Sequence, residues 1–449
     1  MRILLLTSSA RGHAMADALA RSPQNPDLIS LCPSRNPGLR RLATEQHVVD
    51  LMNFPAVLEI AKKTQPDFAV IGPDDPIGAG IVDALATIDV PAMAPTKALA
   101  QVESSKGFTR ELLRKHGIDA SPSFKVFTRA GSTKSRDQET KEIQEYIDEL
   151  EGNVVVKYDA LKGGKGVKVS GEHLANSNEA VQYALECLDE CGRVVLEEKL
   201  IGVEFSLLSF VSGTRVVDMP AVQDHKRAYD GDTGPNTGGM GTYTDANHSL
   251  PFLEPSDLAR AKEINRQAAA ALLKECHHPF KGILYGGFIA VRGGVKLIEF
   301  NARFGDPEAL NILPLLKSDF VDICRGIIDG DLDDSMVSFE KKATVCKYIV
   351  PQSYPEAKNE KGQAVVFPKD LPANARLYFG DIAEDDDGTL RLGGSRTAGI
   401  VGMADTISEA QAIAEDLCEQ VKGPVRFRRD IGTDALVGLR STVLRGLRR

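Results

Sequence analysis

Short apolar runs alternate with stretches of helical spacing through the first hundred residues. "RILLLTSS" reads as a buried strand, and "ARGHAMADALARS" behind it has the alanines and leucine of a helix. "DLISLCP", "HVVDLM" and "DFAVIGP" add strands, with helical spacing near 55–63 and 78–87. Strands alternating with helices predict a parallel sheet whose ligands bind at the carboxyl ends of its strands, in a unit running to about Ala94.

A helix over "TKALAQVESSKGFTRELLRKHGI" leads into a second unit. There "SFKVF", "NVVVKYD", "GVKVSG", "RVVLEEKLIG" and "EFSLLSFVSG" read as strands, with a helix about 177–189. "TRAGSTKSRDQETKE" reads as an exposed loop entering a helix. An amphipathic helix about 257–275 precedes "GGFIAVRGGVKLIEFNARFGDPE", two strands joined at Gly293 and Gly294. From about 336 the strands "ATVCKYIV" and "ARLYFGDI" and the helix "TISEAQAIAEDLCEQV" form a last unit. No internal repeat is present.

One stretch breaks the pattern. "QDHKRAYDGDTGPNTGGMGTY", residues 223–243, sets six charged or titratable side chains ahead of five glycines. Glycine loses conformational entropy inside a strand or helix, and buried ions need partners, so the stretch reads as a loop.

Composition narrows the classes. At 449 residues the chain predicts two to four units, and 42% hydrophobic with 26% charged residues is ordinary for a folded protein. A formal charge of -9 argues against a nucleic-acid partner, and the basic end "RFRRDIG…RSTVLRGLRR" reads as solvated charge. Seven scattered cysteines without a CxxC pair predict a reducing compartment, and "CHH" at 276–278 lacks the second cluster a metal site needs. The apolar run in "MRILLLTSS" is too short for a signal peptide and no stretch reaches membrane length, which predicts a cytoplasmic protein with no membrane partner.

Three constellations carry candidate chemistry. In "VVVKYDALKGGKGVKV" a strand presents Lys157, and a turn places Gly163, Gly164 and Gly166 around Lys165. Glycine-exposed amides beside a lysine can hold phosphate oxygens, although no Ser or Thr follows the lysine as a Walker A loop requires, and an ordinary turn explains the residues equally well. In "VVLEEKLIGVEFS", Glu197, Glu198 and Glu204 could accept from an adenine amino group and ribose hydroxyls; a solvated strand end fits as well. In "KLIEFNARFGDPE", Glu299 and Asn301 lie two apart on a strand and face one side, a spacing that suits Mg²⁺ bridging nucleotide phosphates. Arg303 follows on the same parity and suits a transferring phosphoryl group; an uncharged Asn between Phe300 and a Gly/Pro turn disfavours a purely structural strand.

Together these residues resemble an ATP-grasp ligase, and within that superfamily the phosphoribosylamine-glycine ligases. "QDHKRAYDGDTGPNTGGMGTY" follows that family's QDHKR…DxDxGPNTGGMG signature, and "SSKGFTRELL", "LKGGKGVKV", "IEFNARFGDPE" and "FRRDIG" match in the family's order. The resemblance spans nearly the whole chain. It implies an α/β protein: an N-terminal parallel-sheet, Rossmann-like domain at 1–100, a central ATP-grasp domain at 101–120 and 200–335 with a lid subdomain at 121–199, and a C-terminal α+β domain at 336–449. It also implies an enzyme of purine biosynthesis joining glycine to 5-phosphoribosylamine at the expense of ATP through an acyl phosphate, with Mg²⁺ or Mn²⁺, as a monomer or weak homodimer.

The implied roles fall on matching residues. Lys106, Lys157 and Lys165, with Gly163, Gly164 and Gly166, would meet ATP phosphates, while Glu197, Glu198 and Glu204 would hold adenine and ribose. Glu299 and Asn301 would ligate the metal, and Arg303, Asp224 and Lys226 would serve catalysis. Asp224, His225, Lys226, Arg227, Asn236, Gly238, Gly239 and Asp306, with Ser8, Ser9, Arg11 and His13 of the first turn, would bind glycine and phosphoribosylamine.

The departures cluster on the phosphoribosylamine side. Where the family has GxGGREHA this chain has "TSSARGHA", "CPSRNPGL" replaces a PGNxG turn, and Asp74 in "GPDDPI" stands where Glu is usual. The hydroxyls of Ser8 and Ser9 can donate to phosphate in place of backbone amides. A ligase for another small carboxylate or amine, or an ATP-binding protein without ligase activity, are the competing readings. The end shortly after "FRRDIG" predicts a monofunctional enzyme.

Overall fold

The structure, a computed structural model, describes residues 1–129, 134–161 and 166–449. Arg2–Leu6 is the central strand of a five-stranded parallel sheet, flanked by Asp27–Cys32 and then Glu45–Val48 on one side and by Phe68–Ile71 and then Ala92–Met93 on the other. Ile3 to Leu6 are fully buried because helices cover both faces, as in doubly wound sheets. The strand order reverses beside Arg2–Leu6, so a crevice opens at its carboxyl end.

Two expected helices are broken. The stretch near 78–87 divides at Gly80, whose φ of +105° only glycine adopts freely, into Asp74–Ala79 and Ile81–Ala86. The helix expected over 96–118 divides into Lys97–Ser104 and Lys106–Lys115, because extended Ser105 caps the second by accepting from Phe108 N. That break sets Lys106 at the start of a helix with Arg110 one turn on.

Beyond it lies a small antiparallel sheet in the order Phe124–Thr128, Arg193–Glu198, Val154–Tyr158 and Val167–Val169, with helices Arg136–Glu149 and Ser177–Cys191 sharing its core. A second antiparallel sheet runs Arg215–Asp218, Gly202–Ser212, Lys281–Val291 and Gly294–Asn301, backed by the helix Pro255–Cys276. The polar segment ahead of Arg136–Glu149 falls partly outside the described residues, as do Gly163, Gly164 and Lys165.

The Gly-rich stretch is not the loop its composition suggests. Gln223–Asp224 and Gly241–Thr244 are strands of a sheet completed by Ala343–Pro351, Ala398–Ala404 and Ala375–Phe379. Met240 and Tyr243 are 0% exposed. A Cβ on Gly241 would lie 2.3 Å from Cys346 O, so glycine is there to let two backbones meet. Between these strands Arg227–Tyr229 and Thr233–Asn236 form a separate two-stranded hairpin.

Nor is the basic end merely solvated. Arg428 is 0% exposed, Arg440 pairs with Asp232, and Arg448 grips Asp257 at 2.7 and 2.9 Å. Burial demands counterions, and apart from Asp430 beside Arg428 the acidic partners Asp232 and Asp257 lie far back in sequence where no local reading finds them. All seven cysteines are free, and no described helix is long and apolar enough to cross a membrane.

His13 joins the first helix, Ala10–Ala20, to the last sheet. Its Nδ1 accepts from Phe379 N at 2.9 Å and its ring stacks on Phe379, which places it in a domain seam rather than in a substrate crevice. Burial, helped by Arg41, pushes its pKa down to about 3 from 6.5. The unfolded chain binds this proton below pH 6.5 and the folded chain does not, so the neutral ring's contribution is complete above pH 6.5 and is lost toward pH 3. Replacing His13 by Gln should flatten the fall of unfolding free energy between pH 6 and 4 by about 1.4 kcal/mol per pH unit. Chemical denaturation at several pH values reads this directly, and an unchanged slope would refute it.

Candidate active site

The site begins at an irregularity in Gly294–Asn301. Glu299 pairs with Gly287 and Leu297 with Phe288, leaving Ile298 as an extra residue. A bulge frees a carbonyl from the ladder. Ile298 O accepts from Arg110 Nη2 at 2.7 Å and Lys157 Nζ at 3.0 Å, which brings residues from three elements to one point.

Glu197 lies between the same two cations. Its oxygens accept from Arg110 Nε at 2.6 Å and Nη2 at 3.0 Å, and Lys157 Nζ lies 2.7 Å away. Burial alone would raise its pKa, but Arg110 and Lys157 outweigh it and hold the carboxyl near about 2. Expected at adenine or ribose, Glu197 has its oxygens engaged by the protein. Glu198 alternates to the other face of the strand, and its backbone N donates to Ser123 O.

Two cavities meet at Glu299. One is bounded by Lys106, Arg110, Glu197, Ile298 and Glu299. The other is bounded by Glu204, Ser206, Asp224, Lys226, Tyr285 and Glu299 among others. Burial pushes the Glu299 pKa up, but Lys226, Lys106 and Lys157 bring it below the usual carboxylate value. A carboxylate facing three lysines is charged and shared by both spaces.

In the second cavity Lys226 Nζ lies 3.5 Å from Glu204, which with Glu299 and Asp224 keeps the ammonium charged despite burial. Asp224 is different. Burial, and then Glu308, raise its pKa well above normal, and the charges of Lys226 and Arg396 offset this only in part. Glu308 accepts from Tyr285 OH at 2.9 Å and Ser206 Oγ at 3.3 Å. A Cβ on Gly239, whose φ is +114°, would stand 2.6 Å from Asp224 Oδ1, so that glycine keeps the carboxylate unobstructed.

The other expected residues are held by the protein or lie at its surface. His225 is buried behind the cavity with Nδ1 on Gly241 O at 3.2 Å. Arg227 donates to Gly234 O at 2.9 Å and Glu172 at 2.5 Å, and Asn236 and Gly238 are exposed on the outer side. Arg303 meets Glu103 at 2.8 Å and Asp74 at 3.9 Å, and Asn301 ends its strand beside it. Ser8 is exposed, and Ser9 caps Ala10–Ala20 without a side-chain bond. Asp306 Oδ2 accepts from Arg11 N at 3.4 Å, and Arg11 Nη1 donates to Phe304 O at 2.6 Å. The helix start expected to take a phosphate therefore already carries a carboxylate. Gly166 O accepts from Tyr158 N.

Arg110, Tyr285, Glu308 and the bulge at Ile298 were not singled out from sequence. Lys106 and Arg110 are four apart on a helix, a local signal for one face, whereas the bulge and Glu308 depend on tertiary register. Arg396 is a further case: it donates to Gly238 O, Gly239 O and Asp306 O from 2.8 to 3.0 Å and lies over Tyr348.

Among the described residues no three His, Cys, Asp or Glu side chains converge as a metal cage. Glu299 and Asn301 supply two oxygens from one strand. That suits a cation that brings its remaining ligands with nucleotide phosphates and water.

A parallel-sheet domain, two antiparallel sheets enclosing a lysine-lined cleft, and a strand-borne Glu299 and Asn301 define an ATP-grasp ligase. Successive stretches match the phosphoribosylglycinamide synthetase N domain over residues 1–103, its ATP-grasp (A) domain over 104–309 and its C domain over 344–434. The chain belongs to the phosphoribosylglycinamide synthetase family. It is 43% identical over 448 residues to the phosphoribosylamine–glycine ligase of Methanosarcina barkeri (strain Fusaro / DSM 804), covering 100% of both chains. The crystal structure of the Thermotoga maritima phosphoribosylamine–glycine ligase superposes with a TM-score of 0.77 at 28% identity, covering 96% of this chain and 100% of that one. The biotin carboxylase domain of Hydrogenobacter thermophilus 2-oxoglutarate carboxylase is alike in fold alone, at 13% identity and a TM-score of 0.71 over 99% of this chain and 93% of its own.

Proposed function

We infer that this chain joins glycine to 5-phosphoribosylamine in purine biosynthesis, converting ATP to ADP and phosphate and yielding glycinamide ribonucleotide. The observation that carries the reading is Glu299 at the junction of two cavities, with Lys106 on one side and Asp224 and Lys226 on the other. A nucleotide in the first cavity presents its γ-phosphate at the junction to a small carboxylate in the second. A glycine carboxylate oxygen attacks that phosphorus and ADP leaves; the amine of phosphoribosylamine then attacks the acyl carbon and phosphate leaves.

Lys106, Lys157 and Lys165 neutralise the ATP phosphates, and Lys226 orients the glycine carboxylate. Asp224, beside Glu308, receives the glycine ammonium, and Gly239 leaves its carboxylate unobstructed. Arg303, held by Glu103 and Asp74, is fixed where charge develops on the transferred group. Glu299 and Asn301 would hold a divalent cation, Mg²⁺ or Mn²⁺, which would further neutralise phosphate charge. Closing the small sheet, within the lid proposed at 121–199, over the cleft excludes water that would hydrolyse the acyl phosphate.

Supplied with Mg-ATP and phosphoribosylamine generated in place, the protein should release ADP only when glycine is added, with glycinamide ribonucleotide detected by mass. ADP release indifferent to glycine would reject this reading.

A further inference from the structure

The hairpin Arg227–Tyr229 and Thr233–Asn236 has an exposed second strand and pairs with no other strand. A two-stranded ribbon of this kind is marginally stable alone in water. Yet its first residue adjoins Lys226, whose carbonyl accepts from Thr237 N at 2.7 Å and Thr237 Oγ1 at 2.9 Å, closing the hairpin's base. Whatever fixes this ribbon fixes the entry of Lys226 into the second cavity.

Residues 426–430, about two hundred positions later, supply that support. Arg428 Nη1 donates to Arg227 O at 3.0 Å and to Asp232 Oδ1 at 2.9 Å, while its Nε and Nη2 hold Asp430 at 2.9 and 2.6 Å. Asp430 accepts from Gly231 N at 2.9 Å, Arg429 N donates to Asp230 at 3.0 Å, and Arg426 Nη1 donates to Ala228 O at 2.7 Å. The first strand and the turn are thereby gripped from one side. A guanidinium suits the task because its planar fork bonds a carboxylate in bidentate fashion and still has donors for a backbone carbonyl.

We propose that Arg428 is a positioning residue for the small-substrate half of the site: through the backbone of Arg227 and the carboxylates of Asp232 and Asp430 it holds the hairpin so that Lys226 meets the substrate carboxylate. This rests on the glycine reading above for its kinetic consequence, but not for its structural one. The nucleotide half takes Lys106, Lys157 and Glu197 from elements that, among the described residues, share no hydrogen bond or ion pair with the 426–430 segment, so the two halves should respond differently.

The test compares Arg428→Ala and Arg428→Lys with the unaltered full-length protein by amide hydrogen exchange and by kinetics. Exchange over residues 227–237 should quicken in Arg428→Ala while Val154–Tyr158 and Arg193–Glu198 keep their protection. kcat/KM for glycine should fall about 10- to 100-fold, the scale of a misplaced reacting group, with the Kd for Mg-ATP within twofold. Arg428→Lys should recover part of the loss. Should Arg428→Ala not fold, Asp232→Asn, which removes one anchor, should give the same pattern more weakly.

Unchanged exchange over 227–237 in a folded variant overturns the proposal, as does faster exchange with glycine kinetics intact. So does a parallel loss of Mg-ATP affinity, which would mark a structural role only. If the unaltered protein shows no glycine-dependent ADP release while the exchange pattern appears, the function fails and the hairpin's dependence on Arg428 stands.

Discussion

Replacing Asp224 by Asn should lower kcat/KM for glycine by about 30-fold or more while the Kd for Mg-ATP stays within about twofold. Asp224 is half-buried near Glu308, and desolvation together with that neighbour raises its pKa well above normal. Lys226 and Arg396 offset this only in part, and a substrate ammonium would add the positive charge that favours the carboxylate. Asn keeps the shape and one acceptor, but withdraws the charge that the ammonium would face, and removing one partner of a buried charge pair costs about 2–5 kcal/mol. Nothing on the nucleotide side leans on Asp224, because it bounds only the cavity that holds Lys226 and Tyr285. Steady-state kinetics with varied glycine and calorimetric titration with Mg-ATP separate the two quantities. Equal losses in both would remove Asp224 from its assigned place.

Glu197→Ala should destabilise the nucleotide-free protein by about 3–5 kcal/mol, the scale for stranding a buried charge. Here two cations are stranded at once, since Arg110 and Lys157 share this carboxylate and are both buried. Ile298 O remains to them, but a carbonyl dipole does not replace a full charge. With a folded pKa of about 2 against 4.5, Glu197 contributes its stabilisation above pH 4.5 and loses it as pH falls toward 2. The difference between the two proteins in denaturation midpoint should therefore be full at neutral pH and shrink below pH 4.5. A loss under about 1 kcal/mol at neutral pH would mean that water reaches the pair and screens it.

What sequence could disclose followed the range of the interaction concerned. The parallel sheet, the helices Ser177–Cys191 and Pro255–Cys276, and the strand that bears Glu299 and Asn301 are visible because burial periodicity is local. Residues 223–243 misled composition: their glycines serve close backbone approach in a sheet, and their charges find partners in Arg428 and Arg440, which reading along the chain cannot join. Motif matching named Glu197 and Arg227 for the site, but a motif does not tell a side chain that faces a ligand from one that holds its neighbours, and both have protein partners here. His13 and Asp306 stand in the same relation to the N-terminal turn, bonded to Phe379 and Arg11 from far along the chain. The bulge at Ile298 arises from pairing register, a property of two strands together.

That extra residue bears on how the cleft opens. Lys157 and Glu197 belong to the small sheet, whereas Arg110 and Ile298 belong to the body, so the seam between them is fastened by the Arg110–Glu197 ion pair and by the bond from Lys157 to the Ile298 carbonyl. An oily seam resists parting because each exposed patch must be wetted at a cost. A charged one surrenders its bonds to water, which hydrates the separated ions and returns much of what was lost. The joint is firm while dry and easily released once solvent enters, which lets nucleotide be exchanged without unpacking a hydrophobic core.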